Sequence, residues 1–150
     1  SDQLLLIDMG AFLDGYASDM TRTFAVGQTS RRDRGVYAAV LEAQQAAIEA
    51  VRAGVPVSKV DAAARGVLRR HGMAKQFVHS TGHGVGLEIH EGPRIAKTEK
   101  TKLEAGMVIT IEPGVYLPGE TGVRIEDMVL VTPSGAEILT PTPKELTQLA

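Results

Sequence analysis

The chain has 150 residues, a formal net charge of -2, 43% hydrophobic residues and no cysteine. This length and composition are typical of one globular domain with a real core. The low charge does not favour nucleic acid or acidic lipid, and no apolar run approaches the roughly 18 residues of a membrane helix. The lack of cysteine excludes disulfides and thiolate metal sites. We therefore expect a cytoplasmic protein with a small partner, and neither nucleic acid nor a membrane.

The first two predicted strands each carry one aspartate. The apolar run over residues 4–7 predicts a buried strand that ends in Asp8, and a second β-like run covers residues 16–26. Alternation along this second run puts Asp19 on the same face as Thr21. We expect a hairpin with one aspartate on each arm. Burial of two carboxylates among Leu, Ile, Met and Phe is costly without a cation or several donors.

Two helices are predicted in the next part of the chain. Ser30 can cap a helix that runs to about Arg52 and presents apolar residues at helical spacing, so this helix should cover a sheet. A second helix is predicted to start at Ser58 and to stop at Gly72. Asp61, three residues after Ser58, would complete the acidic analogue of a capping box.

The stretch over residues 79–91 contains three of the four histidines, His79, His83 and His90, together with three glycines. Glycine lets the backbone come close to whatever the imidazoles face. For any one of these histidines, a local hydrogen bond would be a sufficient explanation. The concentration of all three indicates a site once the acids elsewhere in the chain are counted.

Two later strands carry acids among apolar residues. Glu112 ends one of them. In the next, over residues 122–131, alternation puts Arg124 and Glu126 on one face and Asp127 on the other.

Four of the acids lie in or at the ends of predicted strands, namely Asp8, Asp19, Glu112 and Glu126. If these four met in one place, they would carry about four negative charges. Two divalent cations would balance that charge. Carboxylate oxygens with one imidazole suit manganese, cobalt, iron or zinc, and four acids can bridge two metals about 3.5–4 Å apart. The alternative interpretation is four separate surface acids that pair with arginines.

The motifs resemble those of a known family. They are Asp8 and Asp19 eleven residues apart, the stretch over residues 79–91, Thr110-Ile-Glu112-Pro-Gly-Val-Tyr116 and Val123-Arg-Ile-Glu126-Asp127. In this order, and over nearly the whole chain, they look like the proline-specific metallopeptidases of the pita-bread fold, which are the Xaa-Pro aminopeptidases and Xaa-Pro dipeptidases (prolidases). The resemblance implies an α+β fold with a curved, mainly antiparallel sheet covered by helices.

The resemblance also implies a set of metal ligands. Five residues would bind two divalent ions, namely Asp8, Asp19, His83, Glu112 and Glu126. Asp19 and Glu126 would bridge the two ions. Manganese is the first expectation for the metal, with cobalt, zinc or iron as alternatives.

The implied reaction is hydrolysis of the bond between an N-terminal residue and proline in small peptides. Two divalent ions lower the pKa of water and polarise the carbonyl group. Glu112 would take or relay a proton, and Arg124 would support the bridging carboxylates. His90 would meet the scissile carbonyl, and His79 would line the substrate pocket. Dipeptidase and aminopeptidase activity are not distinguished by these motifs.

In this family, further helices and strands precede the first ligand aspartate, and many members have a separate N-terminal domain. We therefore expect residues 1–150 to form most of a metallopeptidase catalytic domain without its upstream segment. The full-length protein is expected to be a homo-oligomer.

Two other functions are compatible with the fold. One is an exopeptidase similar to methionine aminopeptidase. The motifs around Glu112 and Arg124 resemble those of the proline peptidases more than those of methionine aminopeptidase. The other is a non-catalytic pita-bread module that binds peptides, although such relatives typically lack the full ligand set.

Overall fold

The computed structural model describes residues 2–149, which contain two α-helices and twelve strands. The helices are α1 (Arg31–Glu49) and α2 (Val57–Arg70), and a 3₁₀ turn covers Ala74–Gln76. The strands are β1 (Gln3–Met9), β2 (Phe12–Leu13), β3 (Tyr16–Ala17), β4 (Met20–Val26), β5 (Gly82–Gly84), β6 (Glu91–Ile95), β7 (Val108–Ile111), β8 (Gly114–Leu117), β9 (Thr121–Arg124), β10 (Asp127–Val131), β11 (Ala136–Ile138) and β12 (Gln148–Leu149). None of the described helices combines the length and apolar character needed to cross a membrane.

The strands form two main sheets and two short hairpins. Five strands make one sheet in the order β11-β10-β7-β5-β6, and three make the other in the order β1-β4-β12. The hairpins are β2-β3 and β8-β9. Strand β12 pairs with β4 in parallel, whereas the remaining pairs in the described residues are antiparallel. The predicted α+β class with a mainly antiparallel sheet is confirmed.

Two of the runs that the sequence predicts as continuous strands are interrupted at an acid. Asp19 lies between β3 and β4, and Glu126 lies between β9 and β10. At the second break, the chain pairs with the other sheet, because Thr21 and Glu126 form an isolated antiparallel bridge. The Glu126 N–H donates to the Thr21 carbonyl at 3.1 Å. This crossing brings the ends of the two sheets together, and the acids with them.

Helix α1 begins where the sequence predicts. The Ser30 hydroxyl accepts a hydrogen bond from the Asp33 N–H and so caps the first turn. The helix ends at Glu49, short of the predicted Arg52, and Gly54 follows with a φ of +85°. Its buried face meets α2 and the sheets in one core, as the apolar spacing predicts.

Helix α2 does not start as predicted. Its N-cap is Pro56, and no side chain caps it, so Ser58 lies in the first turn and the predicted capping box is absent. Asp61 is fully buried and faces Arg65 and Thr81 instead of the helix start. Gly72 follows the helix with a φ of +73°, where the sequence predicts the stop.

A buried polar cluster around Asp127 ties the C-terminal segment to the sheets. Arg22, only 3% exposed, donates to Asp127 Oδ1 at 2.7 Å, and Gln44 and Lys144 donate to Oδ2 at 2.7 and 2.6 Å. Arg22 also donates to backbone carbonyls in residues 140–143. Burial alone would raise the pKa of the Asp127 carboxyl, but hydrogen bonds from Lys144 and Arg22 bring it below its ordinary value.

Candidate metal centre

The four acids singled out in the sequence lie next to one another in the structure. Asp8 lies near the end of β1, and Asp19 directly precedes β4. Glu112 directly follows β7, and Glu126 directly precedes β10. Glu126 and Asp19 are only 2% and 6% exposed, whereas the Asp8 side chain is half exposed. Strand ends from both sheets therefore supply the site.

The acids and the histidines form three overlapping groups in the described residues, and within each group the potential ligand atoms lie within 4.8 Å of one another. The groups are Asp8 with Asp19 and Glu126, His83 with Glu112 and Glu126, and Asp19 with His83 and His90. Glu126, Asp19 and His83 each belong to two groups. Each of these three residues could therefore supply a ligand atom to two neighbouring groups.

His83 presents one ring nitrogen to the acids. Its Nδ1 lies 2.8 Å from the Gly84 carbonyl, and since a carbonyl only accepts, the proton lies on Nδ1. The other ring nitrogen, Nε2, faces the acids and lies 3.5 Å from Asp19 Oδ2 and 3.4 Å from Glu112 Oε1. A backbone carbonyl that orients the second ring nitrogen is usual for a metal-bound histidine.

The glycines on either side of His83 allow β5 to come close to its neighbours. A Cβ atom on Gly82 would lie 1.9 Å from the Thr110 carbonyl oxygen. A Cβ atom on Gly84 would lie 2.2 Å from the Gly92 carbonyl oxygen. No side chain fits at these distances, so glycine is required for this approach.

Three of the carboxyls are difficult to ionise in this surrounding. Burial raises the pKa of Glu126 to about 8, and the charge of Glu112 adds to the effect. Burial raises the pKa of Glu112 to about 7, although Arg124 opposes the rise. The pKa of Asp19 is raised by burial and by Asp8. Among the described residues, none of these three pairs with an arginine or lysine. When these carboxyls are ionised, their negative charge is therefore not balanced by an ion pair with a cationic side chain of this part of the chain. Carboxylate oxygens with one imidazole are a ligand set that suits divalent cations, which would supply the missing positive charge.

We expect the metal-free protein to lose stability as the pH rises from about 5 to about 8. The folded chain raises the pKa of Glu112 to about 7 and that of Glu126 to about 8, above the value of 4.5 for an ordinary glutamate. In this window the folded state binds more protons than the unfolded state, so the free energy of unfolding falls with pH. For each carboxyl, the free energy of unfolding falls by about 1.4 kcal/mol for each unit by which its pKa in the folded state exceeds its pKa in the unfolded state. Urea unfolding in the presence of a chelator measures it.

The Glu126→Gln variant is the control for this pH dependence. Burial lowers the pKa of His79, which contributes the opposite slope, so the difference between the two proteins isolates the carboxyl. The variant should show a flatter profile than the parent. Parallel profiles for the two proteins would show that Glu126 titrates normally.

Arg124 connects the acids to a polar network. It donates to Asp8 Oδ2 at 2.5 Å, to Thr21 Oγ1 at 3.1 Å and to the Tyr116 hydroxyl at 3.0 Å. The Thr21 hydroxyl in turn donates to Glu126 Oε2 at 2.5 Å. Arg124 thus contacts Asp8 directly and Glu126 through Thr21, and its role in support of the bridging carboxylates stays a prediction.

His79 lies beside this network and outside the ligand groups. Its Nδ1 donates to the Ser80 carbonyl at 2.8 Å, so its Nε2 accepts from the Tyr116 hydroxyl at 2.9 Å. The ring stands edge-on to Phe77, with centroids 5.1 Å apart. Burial lowers the pKa of His79, which keeps the ring neutral. His79 therefore offers a bound molecule the surface of its ring, because both nitrogens are engaged.

His90 reaches the same cluster from the solvent side. The residue is exposed, and its ring centroid lies 4.3 Å from that of His83. It also belongs to the ligand group of Asp19 and His83. His90 is therefore accessible to a molecule that approaches the acids.

Two residues of the site received no role from the sequence. Thr21 is one, although alternation placed it on the face of Asp19. Tyr116 is the other, and its partner His79 is 37 residues away, so no local pattern indicates the contact.

The sequence matches "Metallopeptidase family M24" over residues 1–133. The chain belongs to this family. All five predicted ligands lie within the matched residues. The resemblance inferred from the motifs is therefore confirmed.

This M24 chain was also compared with individual proteins. It is 51% identical over 143 residues to the Xaa-Pro dipeptidase of Pyrococcus furiosus, which covers 95% of the chain and 41% of the relative. Its structure matches the Xaa-Pro dipeptidase from Bacillus anthracis with a TM-score of 0.96 and 47% identity, over 97% of the chain and 41% of that protein. It matches the X-Pro aminopeptidase from Thermotoga maritima MSB8 with a TM-score of 0.94 and 40% identity, over 97% of the chain and 42% of that protein.

These matches confirm the pita-bread fold predicted for the M24 chain. The chain spans about two fifths of the length of the curated relatives it matches, with 41% of the length covered in the two Pyrococcus dipeptidases.

Proposed function

We propose that this chain holds the dinuclear metal site of a peptidase that hydrolyses the bond between an N-terminal residue and proline. The observation that carries the proposal is the overlap of the ligand groups, in which Asp19 and Glu126 are each shared by two groups. A carboxylate has two oxygens, so one shared between neighbouring groups can bridge two metals about 3.5–4 Å apart. The Xaa-Pro class of substrate is supported by the dipeptidases and the aminopeptidase to which the chain is similar.

The residues proposed to hold the two ions are Asp8, Asp19, His83, Glu112 and Glu126. Divalent ions at this site would polarise the scissile carbonyl and lower the pKa of water. Burial of Glu126 and Asp19 excludes bulk solvent from the shared ligands, which strengthens their interaction with a cation.

Glu112 is proposed to move the proton that the leaving nitrogen needs. The Thr110 hydroxyl lies 3.3 Å from its Oε1, which leaves Oε2 available to hold a proton. Proline has no N–H in a peptide bond, so its nitrogen must gain a proton when the bond breaks.

His90 and His79 are proposed to contact the substrate in different ways. His90 is exposed beside His83 and can donate to the scissile carbonyl oxygen. His79 presents a neutral ring whose nitrogens are occupied, and such a surface suits the ring of proline better than a polar group. Manganese, a cytoplasmic location, a homo-oligomeric full-length protein and the extent of the catalytic domain stay predictions.

The test is hydrolysis of peptides by the natural full-length polypeptide in the presence of manganese or cobalt. We expect cleavage of Xaa-Pro substrates and no cleavage of Met-Ala. The His83→Ala variant should lose the activity because it removes one ligand. His71→Ala is the matched control, since His71 is a half-exposed histidine that pairs with Glu42 away from the acids. Cleavage of Met-Ala but not of Xaa-Pro peptides would contradict the proposal.

A further inference from the structure

Helix α2 is tied to the loop that carries His79. Arg65 Nη2 donates to the His79 carbonyl at 2.6 Å, and Nη1 donates to the Phe77 carbonyl at 3.1 Å. The guanidinium also lies over the Phe77 ring, 4.2 Å from its centroid. Since Phe77 in turn meets the His79 ring edge-on, Arg65 fixes both the backbone and the packing partner of this imidazole.

The same helix is tied to Glu112 through Thr81. The buried Thr81 hydroxyl donates to Asp61 Oδ1 at 2.8 Å, and the Thr81 carbonyl accepts from the Glu112 N–H at 2.7 Å. Arg65 Nε donates to Asp61 Oδ2 at 2.8 Å and so joins the two connections. We call Asp61, Arg65 and Thr81 the α2 triad.

Ordinary helix packing does not require this arrangement. The other buried residues of α2 are apolar, namely Val57, Val60, Ala64, Val67 and Leu68. Asp61 is 0% exposed, whereas the Arg65 side chain that pairs with it is 25% exposed, and a buried carboxylate is costly compared with an aliphatic side chain. The charged pair makes these contacts directional, because the planar guanidinium of Arg65 donates hydrogen bonds to a carboxylate and to two carbonyls at fixed angles.

We propose that Asp61 and Arg65 are positioning residues that act through Thr81 and the loop at residues 77–81 to place Glu112 in the candidate metal centre and His79 beside it. They contact no proposed metal ligand with their own side chains. The inference rests on the proposed function for its catalytic consequence. The two connections, or arms, have different effects. Arg65 acts on His79, which is proposed to contact the substrate, whereas Thr81 acts on Glu112, which is proposed to transfer the proton.

The kinetic test separates these two arms in the full-length polypeptide. Thr81→Val keeps the shape but removes the hydroxyl, and we expect it to lower kcat for an Xaa-Pro peptide by about 10- to 100-fold with a smaller change in KM. Thr81→Ser restores the hydroxyl and should recover most of kcat. Arg65→Met should raise KM more than it lowers kcat. Arg70→Met is the control, because Arg70 lies on the same helix and its side chain is 65% exposed.

A second readout does not depend on activity. Nitrogen NMR of the histidine rings reports the His79 tautomer, and we expect the His79 signals to shift or broaden in Arg65→Met while those of His71 stay unchanged. If Arg65→Met does not fold, Arg65→Lys gives the same test, because it keeps the charge but loses the planar fork.

The outcomes distinguish this inference from the proposed function. Unchanged His79 signals, together with an unchanged ratio of kcat to KM in folded variants, would overturn the positioning role. If the parent protein cleaves no Xaa-Pro peptide, the proposed function fails, and the His79 signals still decide whether the α2 triad fixes this ring.

Discussion

The Glu126→Gln variant is expected to lose more than about 100-fold of the Xaa-Pro peptidase activity, which is the upper end for residues that only support a metal ligand. Glu126 belongs to two ligand groups, and it is 2% exposed. A neutral amide cannot replace the negative charge that both proposed ions share, although it keeps the size of the side chain. The measurement is kcat/KM at saturating metal, with the metal content of the same sample.

Glu137→Gln is the matched control for this loss. Glu137 is an exposed glutamate on β11, outside the ligand groups of the described residues. It should keep both the activity and the metal content of the parent. Equal activity in Glu126→Gln and the parent would exclude Glu126 as a shared ligand.

The Asp127→Ala variant is expected to lose about 3–5 kcal/mol of the free energy of unfolding, the usual cost when one partner of a buried ion pair is removed. Arg22 would remain buried with its charge unbalanced, and Lys144 would lose its acceptor. The pKa of the Asp127 carboxyl lies below its ordinary value, so its stabilising contribution is present above the unfolded pKa and is lost as the pH falls through the folded pKa. Urea unfolding at neutral pH measures the effect.

Arg32→Gln is the control for this variant. It removes a surface ion pair with Glu120, in which both side chains are about half exposed, with 59% and 48% of their surface accessible. Such pairs contribute about 0–1 kcal/mol. If Asp127→Ala costs no more than Arg32→Gln, the buried cluster does not stabilise the fold.

The sequence predicted the elements that depend on local patterns. The Ser30 cap is a contact over three residues, and it is present in the structure. The four acids were recognised because a carboxylate in an apolar run is costly, and this argument needs no knowledge of pairing. The structure brings all four together with His83.

Contacts between distant parts of the chain could not be predicted in this way. Thr21 contacts Glu126 across 105 residues, and Arg124 contacts Asp8 across 116 residues. The role of Asp61 was predicted wrongly for the same reason. Its spacing from Ser58 satisfies a capping box, but Thr81 and Arg65 compete for the same carboxylate and are its partners in the structure.

Continuous apolar alternation also conceals breaks in a strand. The runs through Asp19 and Glu126 keep their alternation although each strand is interrupted there. At Asp19 the run changes its pairing partner from β2 to β1, and at Glu126 it bridges to Thr21 of the other sheet. The periodicity of each run does not specify these partners.

Metal titration of the full-length polypeptide tests the central claim most directly. After the protein has been stripped with a chelator, manganese is added and the bound ions per chain are measured by calorimetry. We expect two ions for the parent and a loss of binding in Glu126→Gln, because both ions share this carboxylate. Binding of no ion by the parent, or of two ions with unchanged affinity by Glu126→Gln, would contradict a dinuclear site built on Asp8, Asp19, His83, Glu112 and Glu126.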